Sequence, residues 1–146
     1  MKKEFIELWL KARIIRNRQI DMGKVMSMIN SAEINAKVTK KIKLDEDSAT
    51  LMFREIYESI RQLGDAKWWL SGYEPSNHEI SIEALKDFDI REKLKLNSLE
   101  RFKKIRHDIN YRGFRATISQ AEEILDFWDK CGEELIKNLK KEIKGK

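Results

Sequence analysis

The sequence predicts an all-α protein, an antiparallel bundle of five to six helices. In successive segments the apolar residues recur three or four positions apart, which is the period of an amphipathic helix. No segment alternates apolar and polar residues as a half-buried strand does. The chain has 146 residues and a single Pro, so it is long enough for one hydrophobic core and has little to interrupt its helices.

The composition fits a helical protein with a heavily charged exterior, because 41% of the residues are hydrophobic and 38% are charged. The net charge of +5 permits an anionic partner but matters only where it is clustered. No apolar run approaches the roughly 20 residues of a membrane span, and charged residues break up the apolar positions near the N-terminus. The lone Cys131 suits a reducing compartment. We therefore expect a cytoplasmic protein without a membrane partner.

The first two helices are predicted from their apolar spacing. Residues 4–19 are expected to form the first helix, whose apolar positions are Phe5, Leu8, Trp9, Ala12 and Ile15. The second helix is expected to begin after Asp21, because a carboxylate at that position can cap free backbone N–H groups. Its apolar residues continue to about Lys41.

The third helix is expected to follow three acidic residues at positions 45–47, which suit the positive end of the helix dipole. Its inward positions are Leu51, Met52, Ile56, Ile60, Leu63 and Trp68. Gly64 lies among them and is a candidate for close packing against another segment. Residues 68–70 are apolar at consecutive positions, which predicts burial from more than one side and is compatible with a partner chain. Gly72 and Pro75 are expected to end the helix.

Three further helices are predicted in the second half of the chain. A short fourth helix is expected over residues 78–88, capped by Asn77, and a helical turn over residues 91–94. The fifth helix is expected to begin near Asn97, whose spacing to Glu100 fits a capping box, and to end at Gly113. The sixth is expected to begin with a capping box, either Thr117 with Gln120 or Ser119 with Glu122, and to run to about Lys141.

The fifth helix carries the residues that could do chemistry. Leu99, Phe102, Ile105 and Ile109 gather on one face and predict its buried side. Arg106 lies at the edge of this face, with Asn110 one turn further on. His107 and Tyr111 project away from the core.

Two interpretations of this helix remain open. A partly buried guanidinium requires a partner, so Arg106 could pair with a carboxylate beside an ordinary solvated surface. Alternatively, the arginines could hold a phosphate while His107 transfers a proton, which is the chemistry of a metal-independent ribonuclease.

Metal and cofactor chemistry have little support in the sequence. The two histidines, His78 and His107, are far apart, and with one cysteine they give no recognisable ligand spacing. The glycines are dispersed and form no phosphate-binding loop. We expect no metal and no cofactor.

The segment Arg-His-Asp-Ile-Asn-Tyr-Arg-Gly at 106–113, followed by a short loop, a capped Ala-Glu-Glu-Ile-Leu and one long terminal helix, resembles the C-terminal half of a HEPN domain. Upstream, residues 53–58 and 68–78 resemble the second helix of that family and the turn after it. The resemblance covers roughly residues 22–143. It divides the chain into an additional N-terminal helix at residues 1–20 and a HEPN-like bundle, with a four-helix core, at residues 21–146.

The resemblance implies a homodimer in which the motif helices of two subunits line a shared cleft. Many HEPN proteins are RNA-cutting toxins whose motif is an arginine followed, after four to six residues, by a histidine. Others are thought to bind nucleotides or RNA without cutting. Many prokaryotic members are paired with a minimal nucleotidyltransferase antitoxin in a toxin–antitoxin module.

The motif can be aligned with this chain in two registers. In the first, Arg101 and His107 are the catalytic pair of a ribonuclease. In the second, Arg106 takes the arginine position and Tyr111 stands where the histidine would be. We prefer the second register, and because a phenol is a poor general base near neutral pH, it favours binding over cutting.

We therefore expect RNA or a nucleotide, or a nucleotidyltransferase partner, to bind through a cleft helix. The binding residues expected on that helix are Arg106, His107, Asn110, Tyr111 and Arg112. The alternatives are a ribonuclease that uses Arg101 and His107, and a scaffold bundle that binds no ligand.

Overall fold

A computed structural model describes all 146 residues and confirms the all-α helical bundle. The α-helices are α1 (Lys3–Lys11), α2 (Met22–Thr39), α3 (Ala49–Leu70), α4 (Leu99–Arg112), α5 (Ile118–Phe127) and α6 (Glu133–Lys144). Two short strands, β1 (Ile15–Asn17) and β2 (Tyr73–Pro75), and two 3₁₀ helices, Ser81–Leu85 and Lys93–Ser98, complete the chain. The segment Trp128–Gly132 is a π-helix that joins α5 to α6 in one long rod.

The prediction of a first helix over residues 4–19 was wrong in its second half. Helix α1 ends at Lys11, and Arg13 adopts a left-handed backbone with φ of 59° that no α-helix can contain. The chain then forms β1, which pairs antiparallel with β2 so that Ile15 lies opposite Pro75. Ile15 is buried as its apolar pattern predicted, but it is buried as part of a strand. Neither strand was marked by alternating apolar and polar residues, because a strand of three residues is too short to show alternation.

Helices α2 and α3 pack against each other and form the centre of the bundle. The side chain of Asp21 accepts a hydrogen bond from the backbone N–H of Lys24 at 3.0 Å, which confirms the predicted cap of α2. Gly64 is confirmed as a point of close approach, because a Cβ built on it would lie 2.2 Å from the carbonyl oxygen of Ser81. Helix α3 ends before Gly72, whose φ of 89° is the conformation that glycine adopts readily.

The predicted fourth helix over residues 78–88 is only a 3₁₀ helix of five residues, Ser81–Leu85. Consecutive residues here are buried, so the segment cannot keep one solvated side as an amphipathic α-helix does. Asn77 makes a local turn, because its side-chain oxygen accepts hydrogen bonds from the N–H groups of Glu79 and Ile80. The carbonyl of Ile80 in turn accepts a hydrogen bond from Trp68 Nε1 at 2.9 Å. This segment is thereby fixed against α3.

The start of α4 also differs from its prediction. No capping box forms between Asn97 and Glu100, because the residues before Leu99 belong to the 3₁₀ helix Lys93–Ser98. The carboxylate of Glu100 instead pairs with Lys86 and Lys103. The predicted end at Gly113 is confirmed, with a left-handed φ of 65°.

The final rod begins with the first of the two capping boxes considered. Thr117 accepts a hydrogen bond from the N–H of Gln120, and the side chain of Gln120 accepts one from the N–H of Thr117. The rod continues to Lys144, slightly beyond the predicted end.

The core is one large cluster of buried side chains contributed by every helix of the bundle except α1. A smaller cluster consists of Ile15, Trp68, Ile80 and Ala84, and side chains of α1 pack on its outside. None of the helices combines the length and the apolar character needed to cross a membrane.

Candidate functional site

Helix α4 turns the predicted apolar face into the core. Leu99, Phe102, Ile105 and Ile109 are its buried residues, as expected from their spacing. The ring of Phe102 contacts Phe53 of α3 and Phe127 of α5 edge to face, with ring centroids 6.0 and 5.5 Å apart. These contacts fix the rotation of α4 about its axis and therefore determine where its polar residues project.

Arg106 is half-buried and has no carboxylate within the 4.0 Å of an ion pair. Its guanidinium carbon lies 5.9 Å from the centre of the Tyr57 ring. When the amide of Asn110 is oriented to satisfy its surroundings, its oxygen accepts hydrogen bonds from two nitrogens of Arg106, each at 3.2 Å. The pairing of Arg106 with a carboxylate, which was one of the two interpretations of this helix, does not form. The guanidinium is held in place by neutral groups and forms no ion pair within the chain.

Tyr57 forms the floor beneath Arg106. Its ring is buried, and this burial raises the pKa of the phenol above its ordinary value, although the charge of Arg106 works in the opposite direction. The phenol is therefore neutral at physiological pH and offers Arg106 a ring and not a counter-charge. Tyr57 was not predicted to be part of this surface, because its spacing within α3 does not indicate which helix its side chain faces.

Arg101 has a different environment from Arg106. It donates hydrogen bonds from Nε and one terminal nitrogen to a single oxygen of Glu123 on α5, at 3.0 and 2.6 Å. Its charge is therefore balanced within the chain. His107 lies six positions after Arg101, which places the two about 120° apart around the helix. The structure does not bring this pair together.

The two rings of the outer face do come together. The rings of His107 and Tyr111 have centroids 4.8 Å apart and are tilted by 46°. Tyr111 is 72% exposed, so most of its surface is available to a ligand. Arg112, at the last turn, lies 3.7 Å from Asp108 and is largely exposed. Helix α4 thus carries Arg106 with Asn110 at one edge and His107 with Tyr111 on the adjoining exposed face.

Two residues that follow α4 extend this surface beyond the predicted set. Phe114 is 39% exposed, and Arg115 donates a hydrogen bond to the backbone carbonyl of Asp47 at 3.1 Å. In the sequence, only their position directly after Gly113 indicated that they would lie beside this surface. With Arg112, they make the C-terminal end of α4 basic and aromatic.

A second cluster of polar side chains, on α3, was also not predicted from the sequence. Arg61 pairs with Glu58 and, at 2.5 Å, with Asp65, and Asp65 accepts a hydrogen bond from Ser81 at 2.5 Å. The spacing of three and four residues between these charges was visible in the sequence. All four side chains are partly or fully buried, and their mutual pairing accounts for them as structural groups.

Two of the chain's cavities lie away from α4. One, of about 390 Å³, separates α1 from the bundle, and another of about 210 Å³ lies beside Arg61 and His78. His78 lies far along the chain from the α4 residues and is exposed.

No group of three or more His, Cys, Asp or Glu side chains is arranged to hold a metal ion. Burial raises the pKa of Cys131 to about 11, so its thiol is protonated and packs as an apolar group.

Comparison of the chain with known protein families, with characterised proteins and with solved structures finds no match.

Proposed function

We propose that this chain is a HEPN-type protein that binds RNA or a nucleotide, as a homodimer, through the face of α4 that contains Arg106. The observation that carries the proposal is the unbalanced guanidinium of Arg106. A half-buried cation without an anion is costly to maintain unless a ligand supplies the negative charge. Arginine matches the geometry of a phosphate, to which it can donate two parallel hydrogen bonds.

The neighbours of Arg106 support the same ligand class. Asn110 holds the guanidinium in one orientation without neutralising it. His107 and Tyr111 present two adjoining rings to solvent, and aromatic rings bind unpaired bases without sequence preference. Arg112 adds an exposed cation beside them. A phosphate at Arg106 and a base on Tyr111 would use every residue expected for binding.

Catalysis is not part of the proposal. A ribonuclease that uses Arg101 and His107 would first have to separate Arg101 from Glu123. A tyrosine in the histidine position of the motif is suited to stacking and hydrogen bonding more than to proton transfer at neutral pH. A nucleotidyltransferase that docks on the same face is the partner that the family resemblance suggests.

The proposal predicts that Arg106→Ala weakens binding to a fluorescein-labelled single-stranded RNA by about tenfold or more. Fluorescence anisotropy at fixed ionic strength measures this affinity, and a labelled ATP analogue provides the nucleotide arm. Arg101→Ala is the matched control, because it removes an arginine from the same helix but from an ion pair within the chain. We expect this control to bind within about twofold of the parent.

The opposite ranking, with Arg101→Ala impaired and Arg106→Ala unchanged, would refute the proposed site. Incubation of unlabelled RNA with the protein in EDTA tests the alternative. Cleavage that disappears in His107→Ala would replace the binding proposal with a metal-independent ribonuclease. Equal binding by both arginine variants and the parent, without cleavage, would leave the bundle as a scaffold.

A further inference from the structure

The cavity between α1 and the bundle has the size and lining of a small-molecule site. Its volume of about 390 Å³ falls within the range of about 300–1,000 Å³ that is typical of ligand pockets. Half of its lining residues are hydrophobic, and the side chains of Trp68, Tyr73 and Phe88 form much of this wall. Ile6 of α1 closes one side. This wall suits an apolar or aromatic molecular body.

The charges around the cavity leave one carboxylate without a partner. Lys67 donates to both oxygens of Glu142, at 2.7 and 2.8 Å, so it is not free to bind an anion. Asp87 lies 3.1 Å from the amino group of Met1. Asp89 lines the same cavity and has no cation within 4.0 Å. A ligand with a positive charge would therefore be attracted, whereas a carboxylate or phosphate would be repelled.

The aromatic wall favours the same kind of ligand. Trp68 has already donated its indole N–H to the carbonyl of Ile80, so its ring offers only apolar surface and π electrons. The ring of Phe88 already lies near one cation, since the ammonium of Lys67 is 5.6 Å from the centre of the ring. An ammonium group close to such rings gains the cation–π attraction in addition to its pairing with Asp89.

We propose that this cavity binds a small primary amine with an apolar or aromatic body, whose ammonium group pairs with Asp89. The body lies between Ile6 and Phe88. This site is separate from the face of α4 and does not depend on the function proposed for that face.

The position of α1 gives the proposal a second consequence. Helix α1 buries none of its own residues, and Ile6, Trp9 and Leu10 only pack on the outside of the smaller cluster. A ligand that touches both Ile6 and Phe88 would add contacts between α1 and the bundle. Binding should therefore stabilise the docked position of α1. If the cavity were only a gap in the packing, adding an amine would not change the stability of this position.

Isothermal titration calorimetry with three compounds of similar shape tests the proposal. Tryptamine carries the ammonium group, tryptophol replaces it with a hydroxyl, and indole-3-propionate replaces it with a carboxylate. We expect tryptamine to bind at least tenfold more tightly than tryptophol and indole-3-propionate not to bind. Asp89→Asn should weaken tryptamine binding about fivefold and leave tryptophol unchanged. Glu33→Gln, which removes an exposed and unpaired carboxylate from α2, is the control and should bind as the parent does.

Amide hydrogen exchange on the same samples tests the coupling to α1. Tryptamine should slow exchange at the amides of Lys3–Lys11 in the parent protein, and slow it less in Asp89→Asn. Failure of tryptamine to bind, equal affinities for all three compounds, or unchanged affinity in Asp89→Asn would each overturn the proposal. Asp89 is exposed, so its substitution by asparagine does not threaten the fold.

Discussion

Gly64→Ala is expected to cost about 3 kcal/mol of the free energy of unfolding, although it adds a single methyl group. The Cβ of the alanine would lie 2.2 Å from the carbonyl oxygen of Ser81 and 2.7 Å from its carbonyl carbon. These are backbone atoms, so no side-chain rotation can relieve the clash. The segment cannot simply move away, because Ser81 donates a hydrogen bond to Asp65 and the neighbouring Ile80 accepts one from Trp68.

Chemical denaturation of the purified variant, followed by far-ultraviolet circular dichroism, measures this loss. Gly23→Ala is the control, since Gly23 also lies in a helix but its Cβ would meet only the side-chain oxygen of Asp21, at 3.4 Å. We expect the control to change stability by less than about 0.5 kcal/mol. Equal effects at Gly64 and Gly23 would contradict the close approach to Ser81 as the cause, because helix propensity favours alanine over glycine at both positions.

Arg61→Met is expected to destabilise the protein by about 3 kcal/mol near neutral pH. The side chain of Arg61 is 12% exposed, and Asp65, which it neutralises, is 14% exposed. Removing the guanidinium leaves Asp65 as a largely buried carboxylate with only the hydroxyl of Ser81 as a donor. Methionine keeps most of the side-chain volume, so the loss reports the missing charge more than a cavity.

The pH dependence of this deficit has a definite sign. Burial raises the pKa of Asp65 above its ordinary value, while the hydrogen bond from Ser81 and the charge of Arg61 lower it only in part. Without Arg61 the folded-state pKa of Asp65 rises further. At a pH between the unfolded and the folded-state pKa, Asp65 therefore takes up a proton when the chain folds. The deficit should therefore grow as the pH rises from the folded-state pKa of Asp65 in the parent towards its higher value in the variant, and shrink in acid, where Asp65 is protonated in both proteins.

The pKa of Glu58 in the parent is shifted in the opposite direction to that of Asp65. Burial raises its pKa, but hydrogen bonding to Arg61 and the charge of Arg61 outweigh burial and hold the pKa below its ordinary value. Its pairing stabilises the parent above the unfolded pKa of Glu and is lost as the pH falls. Both carboxylates therefore make the cost of Arg61→Met larger at pH 7 than at pH 4. Unfolding curves at the two pH values test this difference.

Arg101→Met serves as the control for Arg61→Met. It breaks an ion pair of similar geometry with Glu123, but both side chains of that pair are about half exposed. Exposed ion pairs contribute about 1 kcal/mol or less. A deficit at Arg61 as small as that at Arg101, or one that does not change with pH, would contradict the structural role assigned to the α3 cluster.

The bundle was predictable because each of its signals is local. Apolar spacing identified the buried faces of the long helices, and Asp21, Gly113 and the pair Thr117–Gln120 act at their ends as their chemistry requires. The failures occurred where tertiary contacts override a local pattern. The spacing of Ile15 to the apolar residues before it fits a helix, yet the left-handed turn at Arg13 and the partner strand β2 determine its conformation. Neither could be inferred from nearby residues.

The candidate site was predictable only in part for the same reason. Helical geometry placed Arg106 and Asn110 together, and His107 with Tyr111, because these pairs are one turn apart. Glu123 and Tyr57, which the two arginines contact outside α4, lie on other elements, and spacing within α4 carries no information about them. The sequence could therefore not reveal that Glu123 balances Arg101 whereas Arg106 has only Tyr57 and Asn110.

The pairing of β1 with β2 determines at which stage of folding the N-terminal segment can dock on the bundle. Ile15 and Pro75 are about 60 positions apart along the chain, and closing so long a loop is entropically costly until α2 and α3 have formed. Although residues 1–17 precede the bundle along the chain, we infer that they join the fold last and leave it first when the protein unfolds in stages. Transient release of α1 from the bundle would then give an amine a route into the cavity without any disturbance of the core.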